Sequence, residues 1–145
     1  EAIDMLNEEG LDNVFARHAR HGEAARRAAI AWGLDLQCLN PNEFSNALTA
    51  IRVPERNSAD ALRKVVLENF NMSLGSGLGK VADKVFRIGH LGDVNDLTLM
   101  GALCGVEMGL GLADIPHSTG GVTAAMDYLL HGGGSKPGSG LLAWK

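Results

Sequence analysis

Glycine is distributed very unevenly along this chain, and that distribution limits the folds it can adopt. Of the 19 glycines, 16 lie in residues 72–145 and only three lie before them. Glycine has no Cβ, so it permits left-handed turns and close contact between elements, but it weakens helices and strands that contain it. We therefore expect long regular elements in the first half and tight turns in the second. A collagen-like fold is excluded, because the glycines have no three-residue period and the chain has only four prolines.

Length and charge narrow the class of protein. A chain of 145 residues, 46% of them hydrophobic, is long enough to form one domain with its own core. The net charge of −4 argues against a nucleic-acid-binding module, which normally presents a basic surface. The chain starts at Glu1 within a helical pattern, so we interpret it as part of a longer protein. No signal peptide is visible, and we expect a cytoplasmic location.

The two cysteines, Cys38 and Cys104, lie far apart and form no CxxC motif. Such spacing is not typical of a disulfide scaffold or of a zinc site with cysteine ligands. We predict two buried free thiols in a reducing compartment.

The first half of the chain contains patterns for two helices followed by two strands. Residues 1–9 and 11–33 are rich in strong helix formers, and Gly10 divides them. The alternation of apolar and polar residues over 34–39 predicts a strand, and the sequence ALTAIRV over 47–53 predicts a second one.

The second half contains two further strands and three further helices. Ser58 is a good N-cap for a helix over 59–70, and Asp93 or Asn95 can begin a helix over about 96–113. The other predicted elements are a short strand over 72–74, a strand over 84–89 and a helix over about 120–131. This order favours an α+β fold, in which a small, mostly antiparallel sheet has helices packed on one face.

The glycine-rich segments have structural interpretations. GSGLGK (residues 75–80) is not a phosphate-binding loop, because valine follows where Ser or Thr is required, and we predict a turn between strands. The apolar residues 97–112 are too few to span a membrane and contain Glu107, so they indicate a buried helix. In that helix Gly101, Gly105 and Gly109 recur every four residues, which permits close approach of another element. Residues 132–145 have the composition of a flexible tail.

His18 and His21 lie three residues apart on a predicted helix that also carries several arginines. A metal site would need a third ligand, and no carboxylate is placed to provide it. We therefore predict no metal site and interpret these residues as a solvated basic face that could touch a neighbouring subunit.

Arg87 is the strongest candidate for a binding residue. It lies in the middle of an apolar strand, VFRIG, where a cation must be paired or must bind an anion. The planar guanidinium can bind a carboxylate through two parallel hydrogen bonds. The residues alone leave open whether Arg87 binds a ligand or forms an internal ion pair. No general acid–base pair, nucleophile motif or catalytic triad is found elsewhere in the chain.

Several runs of sequence resemble one enzyme family. The run GSGLGKVADKVFRIGHLGDVNDLTLMGALCGVEMGLGL (residues 75–112) resembles the C-terminal domain of class V, fold-type I pyridoxal-phosphate (PLP) aminotransferases, on the serine–glyoxylate and alanine–glyoxylate branch. Residues 8–34 and 49–55 resemble the same branch, and FRIGHLGD (residues 86–93) is the most specific block. The resemblance covers residues 1–131, with a connecting helix within residues 1–33.

The resemblance implies the function of a longer enzyme. Such enzymes transfer an amino group from serine or alanine to glyoxylate or a similar 2-oxo acid, and the arginine of the RIG motif, Arg87, binds the substrate carboxylate. PLP is held by a lysine, yet none of the chain's lysines lies in that motif: Lys64, Lys80, Lys84, Lys136 and Lys145. We therefore expect no catalytic or cofactor-binding residue in this chain, no covalently bound PLP and no activity of the chain alone. The intact enzyme would be a homodimer that binds neither nucleic acid nor membrane.

Two other classes remain open. The chain could be a stand-alone module that binds a free carboxylate at Arg87. It could also be a structural or dimer-forming α+β domain in which Arg87 pairs with a buried acid. The preferred amino donor and acceptor, and the oligomeric state of the chain itself, are not determined by the sequence.

Overall fold

A computed structural model describes residues 1–132. Helix α1 (Ala2–Glu9) and helix α2 (Leu11–Ala31) are separated by Gly10, whose φ of +83° is accessible mainly to glycine. The later elements are β1 (Leu48–Arg52), α3 (Ala59–Phe70), β2 (Gly75–Ser76), β3 (Val85–Gly89), α4 (Asp96–Leu112) and α5 (Gly121–Asp127). Short 3₁₀ turns cover Pro41–Glu43 and Gly79–Val81, and a π-helical turn covers Tyr128–Gly132.

The sheet is antiparallel, with strand order β1-β3-β2. Opposite residues share a face of such a sheet, so Ile51 and its partner Phe86 lie on one face together with Ile88. These three side chains are buried against the helices. The α+β prediction, with a small antiparallel sheet covered by helices on one face, is confirmed.

The core lies between that sheet face and helices α2 to α5. Ser58 and Asn95 accept hydrogen bonds from the first turns of α3 and α4, as an N-cap should, and so fix where both helices begin. The largest fully buried apolar side chains of the core are Trp32, Ile51, Leu62, Val66, Phe86, Ile88, Leu99, Leu103 and Leu110.

Two strand predictions are wrong. Residues 34–39 form only a bridge between Leu36 and Ile51, because the chain turns away from β1 at the Asn40–Pro41 turn. The short strand predicted over 72–74 lies instead at Gly75–Ser76. Leu74 is buried in the core, and pairing with β3 begins only after it.

Two of the three glycines of α4 are close-contact positions. A Cβ at Gly109 would lie 2.3 Å from Val66 Cγ2, and one at Gly105 would lie 2.7 Å from Met72 Cε. No atom lies within 4 Å of a Cβ at Gly101, because a four-residue step rotates 40° around the helix and so moves this position off the contact face. The predicted close approach therefore occurs at Gly109, against α3, and at Gly105, against Met72 just after α3, but not at Gly101.

Helix α4 is half-buried rather than fully buried, since Leu97, Met108 and Leu112 are exposed. No helix within residues 1–132 is long and apolar enough to cross a membrane. The prediction of buried thiols is wrong, because Cys104 is exposed on the outer side of α4 and Cys38 is half-exposed after the bridge. The tail predicted over 132–145 lies, apart from Gly132, outside the described residues.

Candidate functional site

Arg87 lies in the central strand, on the sheet face that the helices do not cover. Its register partners are Ala50 in β1 and Gly75 in β2. Both are small, and a Cβ at residue 75 would lie only 3.0 Å from Arg87 Nε. The missing side chain at Gly75 thus leaves the space that the guanidinium occupies, which connects the glycine-rich turn to the candidate site.

The guanidinium of Arg87 has an unused donor. Its Nε is buried and has no hydrogen-bond partner, and no ion pair within residues 1–132 involves Arg87. A buried charged donor without a partner is costly, since it loses water and gains nothing in return. The sequence left open an internal ion pair of Arg87, but no acid among the described residues pairs with it. The arrangement is suited to binding an anion.

A second arginine lies on the same face and was not identified from the sequence. Arg52 is opposite Val85, and its Nη1 donates to Gln37 Oε1 at 2.7 Å. The alternation in ALTAIRV places Arg52 on the same face as Ala50, but only the strand register, in which Ala50 is opposite Arg87, shows that this is also the face of Arg87. The open sheet face therefore carries two guanidinium groups.

His90, just after β3, fixes the alignment of β3 with β1. Its Nδ1 lies 3.0 Å from the carbonyl oxygen of Asn46, and its Nε2 lies 3.0 Å from Thr49 Oγ1. The carbonyl can only accept, so Nδ1 carries the proton and Nε2 accepts from the hydroxyl. Burial lowers the pKa of His90 to about 4, which keeps the ring neutral. The register that places Arg87 opposite Ala50 is held by a neutral, fully buried imidazole.

The interpretation of His18 and His21 as a solvated basic face is wrong, because both side chains are buried. Arg20 binds Asp96 in bidentate fashion at 2.5 and 2.9 Å, and His21 Nε2 lies 2.9 Å from the same carboxylate. The Arg20 hydrogen bonds keep the pKa of Asp96 below its usual range, and burial lowers the pKa of His21. The acid at the start of α4 thus pairs with α2 across the domain.

The loop after β3 is held by two adjacent residues of α2. The Gly92 N–H donates to His18 Nε2 at 3.0 Å, and the Gly92 carbonyl accepts from Arg17 Nη1 at 2.8 Å. The other side of the Arg17 guanidinium binds both oxygens of Glu9 at 2.6 and 2.7 Å. This pair keeps the pKa of Glu9 low, chiefly through the hydrogen bond from Arg17.

Glu107 has a structural role that the sequence did not reveal. Its carboxylate accepts from the N–H groups of Gly120 and Val122 at the start of α5, and at 2.8 Å from Nε1 of Trp32, the residue that follows α2. Burial alone would raise the pKa of Glu107, but these three hydrogen bonds outweigh burial and lower it. One carboxylate of α4 therefore links α4 with α2 and α5.

None of the three lysines that the structure describes lies in an enclosed site. Lys64, Lys80 and Lys84 are all exposed, whereas a Schiff-base lysine needs an enclosed pocket that lowers its pKa. Lys136 and Lys145 lie outside the described residues. No group of three or more potential metal ligands occurs within residues 1–132.

Known proteins provide a context for this geometry. The chain is 50% identical over 132 residues to serine–glyoxylate aminotransferase of Arabidopsis thaliana, covering 90% of the chain and 33% of that protein. It is 44% identical to L-aspartate–glyoxylate aminotransferase of Paracoccus denitrificans, covering 88% of the chain and 32% of that protein. The fold matches ureidoglycine–glyoxylate aminotransferase of Bacillus subtilis with a TM-score of 0.82 and 26% identity, covering 88% of the chain and 33% of that structure.

The chain spans about a third of the length of the curated relatives that it matches. No family model matches it. The similarity extends over nearly the whole chain in both sequence and fold, and it agrees with the resemblance carried by residues 75–112. In sequence and in fold, the chain is therefore similar over nearly its whole length to the C-terminal domain of the class V PLP-dependent aminotransferases.

Proposed function

We propose that the protein carrying this chain transfers an amino group from a small amino acid, such as serine or alanine, to glyoxylate or a similar 2-oxo acid, and that Arg87 binds the substrate α-carboxylate. The supporting observation is the unpartnered, buried Nε of Arg87 on the open face of the sheet. The names of the relatives support glyoxylate as the acceptor but differ in the amino donor.

Arg87 acts by positioning. Two parallel N–H···O bonds fix both the place and the plane of a carboxylate, and so orient the Cα–H bond of the amino acid. The same contact serves the amino acid and the 2-oxo acid, since both carry the carboxylate. His90 and the small residues Ala50 and Gly75 keep the guanidinium in one place. Substrate binding therefore costs little side-chain entropy at Arg87.

PLP, the cofactor of this family, supplies the electron sink when bound. We propose that the lysine holding PLP lies in a part of the protein outside this chain, and that the chain alone is inactive and forms no covalent PLP adduct. Incubation of the chain with PLP, followed by borohydride reduction and peptide mapping, should leave all its lysines unlabelled. Stoichiometric labelling of one lysine would contradict the proposal.

The test of Arg87 uses the longer protein that carries this chain. Loss of two charge-assisted hydrogen bonds in Arg87→Ala corresponds to ~3–6 kcal/mol, or a fall of about 10²–10⁴-fold in kcat/KM for donor and acceptor alike. Arg87→Lys keeps the charge but loses the two parallel N–H donors, so its kcat/KM should lie between those of the wild type and Arg87→Ala.

Arg27→Lys is the matched control for this test. Arg27 is an exposed arginine of α2 that pairs with Glu23 and stacks on Tyr128, away from the open sheet face. Its replacement should leave kcat/KM within about twofold, since exposed ion pairs contribute little. Unchanged kinetics in both Arg87 variants would contradict the assignment.

Calorimetry on the chain alone distinguishes a stand-alone binding module from an incomplete site. An incomplete site should give no saturable heat with serine, alanine or glyoxylate. Saturable binding that Arg87→Ala abolishes would support the binding module instead. The homodimer, the connecting helix within residues 1–33 and the cytoplasmic location stay predictions, and light scattering on the longer protein tests the first of them.

A further inference from the structure

The open sheet face carries a second cation whose position relative to Arg87 is fixed by the strand register. Arg87 is opposite Ala50, and Arg52 is opposite Val85, so the two arginines are diagonal neighbours on adjacent strands. Diagonal neighbours on one face are separated by roughly 7–8 Å, which long side chains readily bridge. Two guanidinium groups can therefore reach one small ligand.

Neither cation is neutralised within residues 1–132. Arg87 has no ion pair, and the side-chain partner of Arg52 is the uncharged oxygen of Gln37. The Gln37 bond occupies one of the five N–H donors of the Arg52 guanidinium and leaves the others available. Like charges on neighbouring strands are unfavourable, so a ligand with two negative groups would relieve a repulsion built into this face.

The acids near Arg52 do not pair with it. Asp35 is beside it at the sheet edge, where its carbonyl accepts the Arg52 backbone N–H, but its carboxylate forms no ion pair within the described chain. Asp83 accepts hydrogen bonds from Ser58 Oγ and the Asp60 N–H. A cavity at this end of the strands is lined by Arg52 with Glu55, Asp83 and two further cations, Arg56 and Lys84.

We infer that Arg52 is a specificity-determining residue that binds the second carboxylate of an acidic amino donor while Arg87 binds the α-carboxylate. This inference rests on the proposed function and deepens it by naming the substrate class. A four-carbon amino dicarboxylate has its two carboxylates close enough together to span neighbouring guanidinium groups. Donors without a side-chain carboxylate use Arg87 alone. Gln37 orients Arg52 without neutralising it.

The experiment measures kcat/KM for L-aspartate and for L-alanine, with glyoxylate as acceptor, in the longer protein. Arg52→Gln should lower the aspartate-to-alanine ratio by about 10- to 100-fold, as expected for a charge-assisted hydrogen bond. Gln37→Glu should lower the ratio in the same direction, because it keeps Arg52 but supplies a fixed carboxylate that occupies it. An unchanged ratio in both variants, or no turnover of L-aspartate by the wild type, overturns the inference.

The design separates the two proposals. Arg87→Lys should reduce turnover of both donors and leave their ratio nearly unchanged. Unchanged turnover in this variant counts against the proposed function, whereas an unchanged donor ratio in the Arg52 and Gln37 variants counts against the role of Arg52 alone. If Arg52→Gln does not fold, Gln37→Glu decides the matter. Calorimetry on the longer protein with succinate and propionate gives a readout independent of turnover. The wild type should bind succinate more tightly than propionate, and Gln37→Glu should remove that preference. Equal affinities in the wild type would refute the role of Arg52.

Discussion

The contact between α3 and α4 allows a quantitative test on two glycines of the same helix. In Gly109→Ala the new methyl group would lie 2.3 Å from Val66 Cγ2 and 3.2 Å from Leu62 Cδ1. An ordinary carbon–carbon contact is about 3.5–4.0 Å, so either α3 must move or Val66 must leave its rotamer. Val66 is fully buried, and a β-branched side chain in a helix has essentially one χ1 rotamer. Gly101→Ala adds the same methyl group where no atom lies within 4 Å.

The expected free energies follow from two opposing effects. Replacing glycine by alanine inside a helix stabilises it by about 1 kcal/mol at either position. Overpacking costs ~2–3 kcal/mol at Gly109 and nothing at Gly101. We therefore expect Gly101→Ala to raise the free energy of unfolding by about 1 kcal/mol and Gly109→Ala to lower it by about 1–2 kcal/mol. Urea unfolding followed by circular dichroism measures both changes, provided that the two variants keep the m-value of the wild type.

A double variant tests the physical reason. If the clash with Val66 is the cause, Val66→Ala makes room for the new methyl group, and Gly109→Ala costs less in that background than in the wild type. The reasoning is refuted if Gly109→Ala stabilises the protein as much as Gly101→Ala does. It is equally refuted if the two substitutions at positions 66 and 109 are simply additive.

Three further predictions concern the polar contacts. The pKa of His90 is about 4 in the folded state, against 6.5 for an exposed ring. As the pH decreases, the unfolded chain therefore takes up a proton at this ring before the folded chain does. The free energy of unfolding should fall as the pH decreases from about 6.5 towards 4. His90→Asn should flatten this pH dependence of the unfolding free energy. An unchanged slope would show that His90 is not its cause. Asp96→Asn leaves Arg20 without its counter-charge and should destabilise the fold by about 1–3 kcal/mol in urea unfolding; no loss would mean that this pair contributes nothing. Glu107→Gln should speed hydrogen exchange at the amides of Gly120 and Val122, and equal protection would show that the carboxylate does not hold them.

The helices and the central strand were predictable because their signals are local. Ser58 and Asn95 mark helix starts through their own short side chains, and VFRIG alternates as a half-buried strand does. Residues 34–39 alternate equally well, but a strand also needs a partner along its length, and the chain turns away after one bridge. That outcome depends on the position of β1, which alternation within the segment cannot indicate.

The polar residues were misjudged for a related reason. His18 and His21 look solvated because their neighbours in sequence are charged, yet their partners Gly92 and Asp96 lie more than seventy residues away. A buried histidine is compatible with an arginine-rich helix only when such distant partners exist. Arg87 was identified from the sequence because the apolar residues around it are its neighbours in sequence. That its Nε has no hydrogen-bond partner, and that Arg52 is its diagonal neighbour, became visible only once the strands were paired.

The triple contact of Glu107 has a consequence for the order in which the chain folds. Helix α5 has only 7 residues, it begins without a side-chain cap from its own N-terminus, and so short a helix does not persist alone in water. The carboxylate that holds its first N–H groups belongs to α4, and it is positioned by a hydrogen bond from Trp32 at the C-terminal end of α2. α5 therefore forms only after those two helices have met. In pulse-labelled hydrogen exchange during refolding, its amides should gain protection after those of α2 and α4.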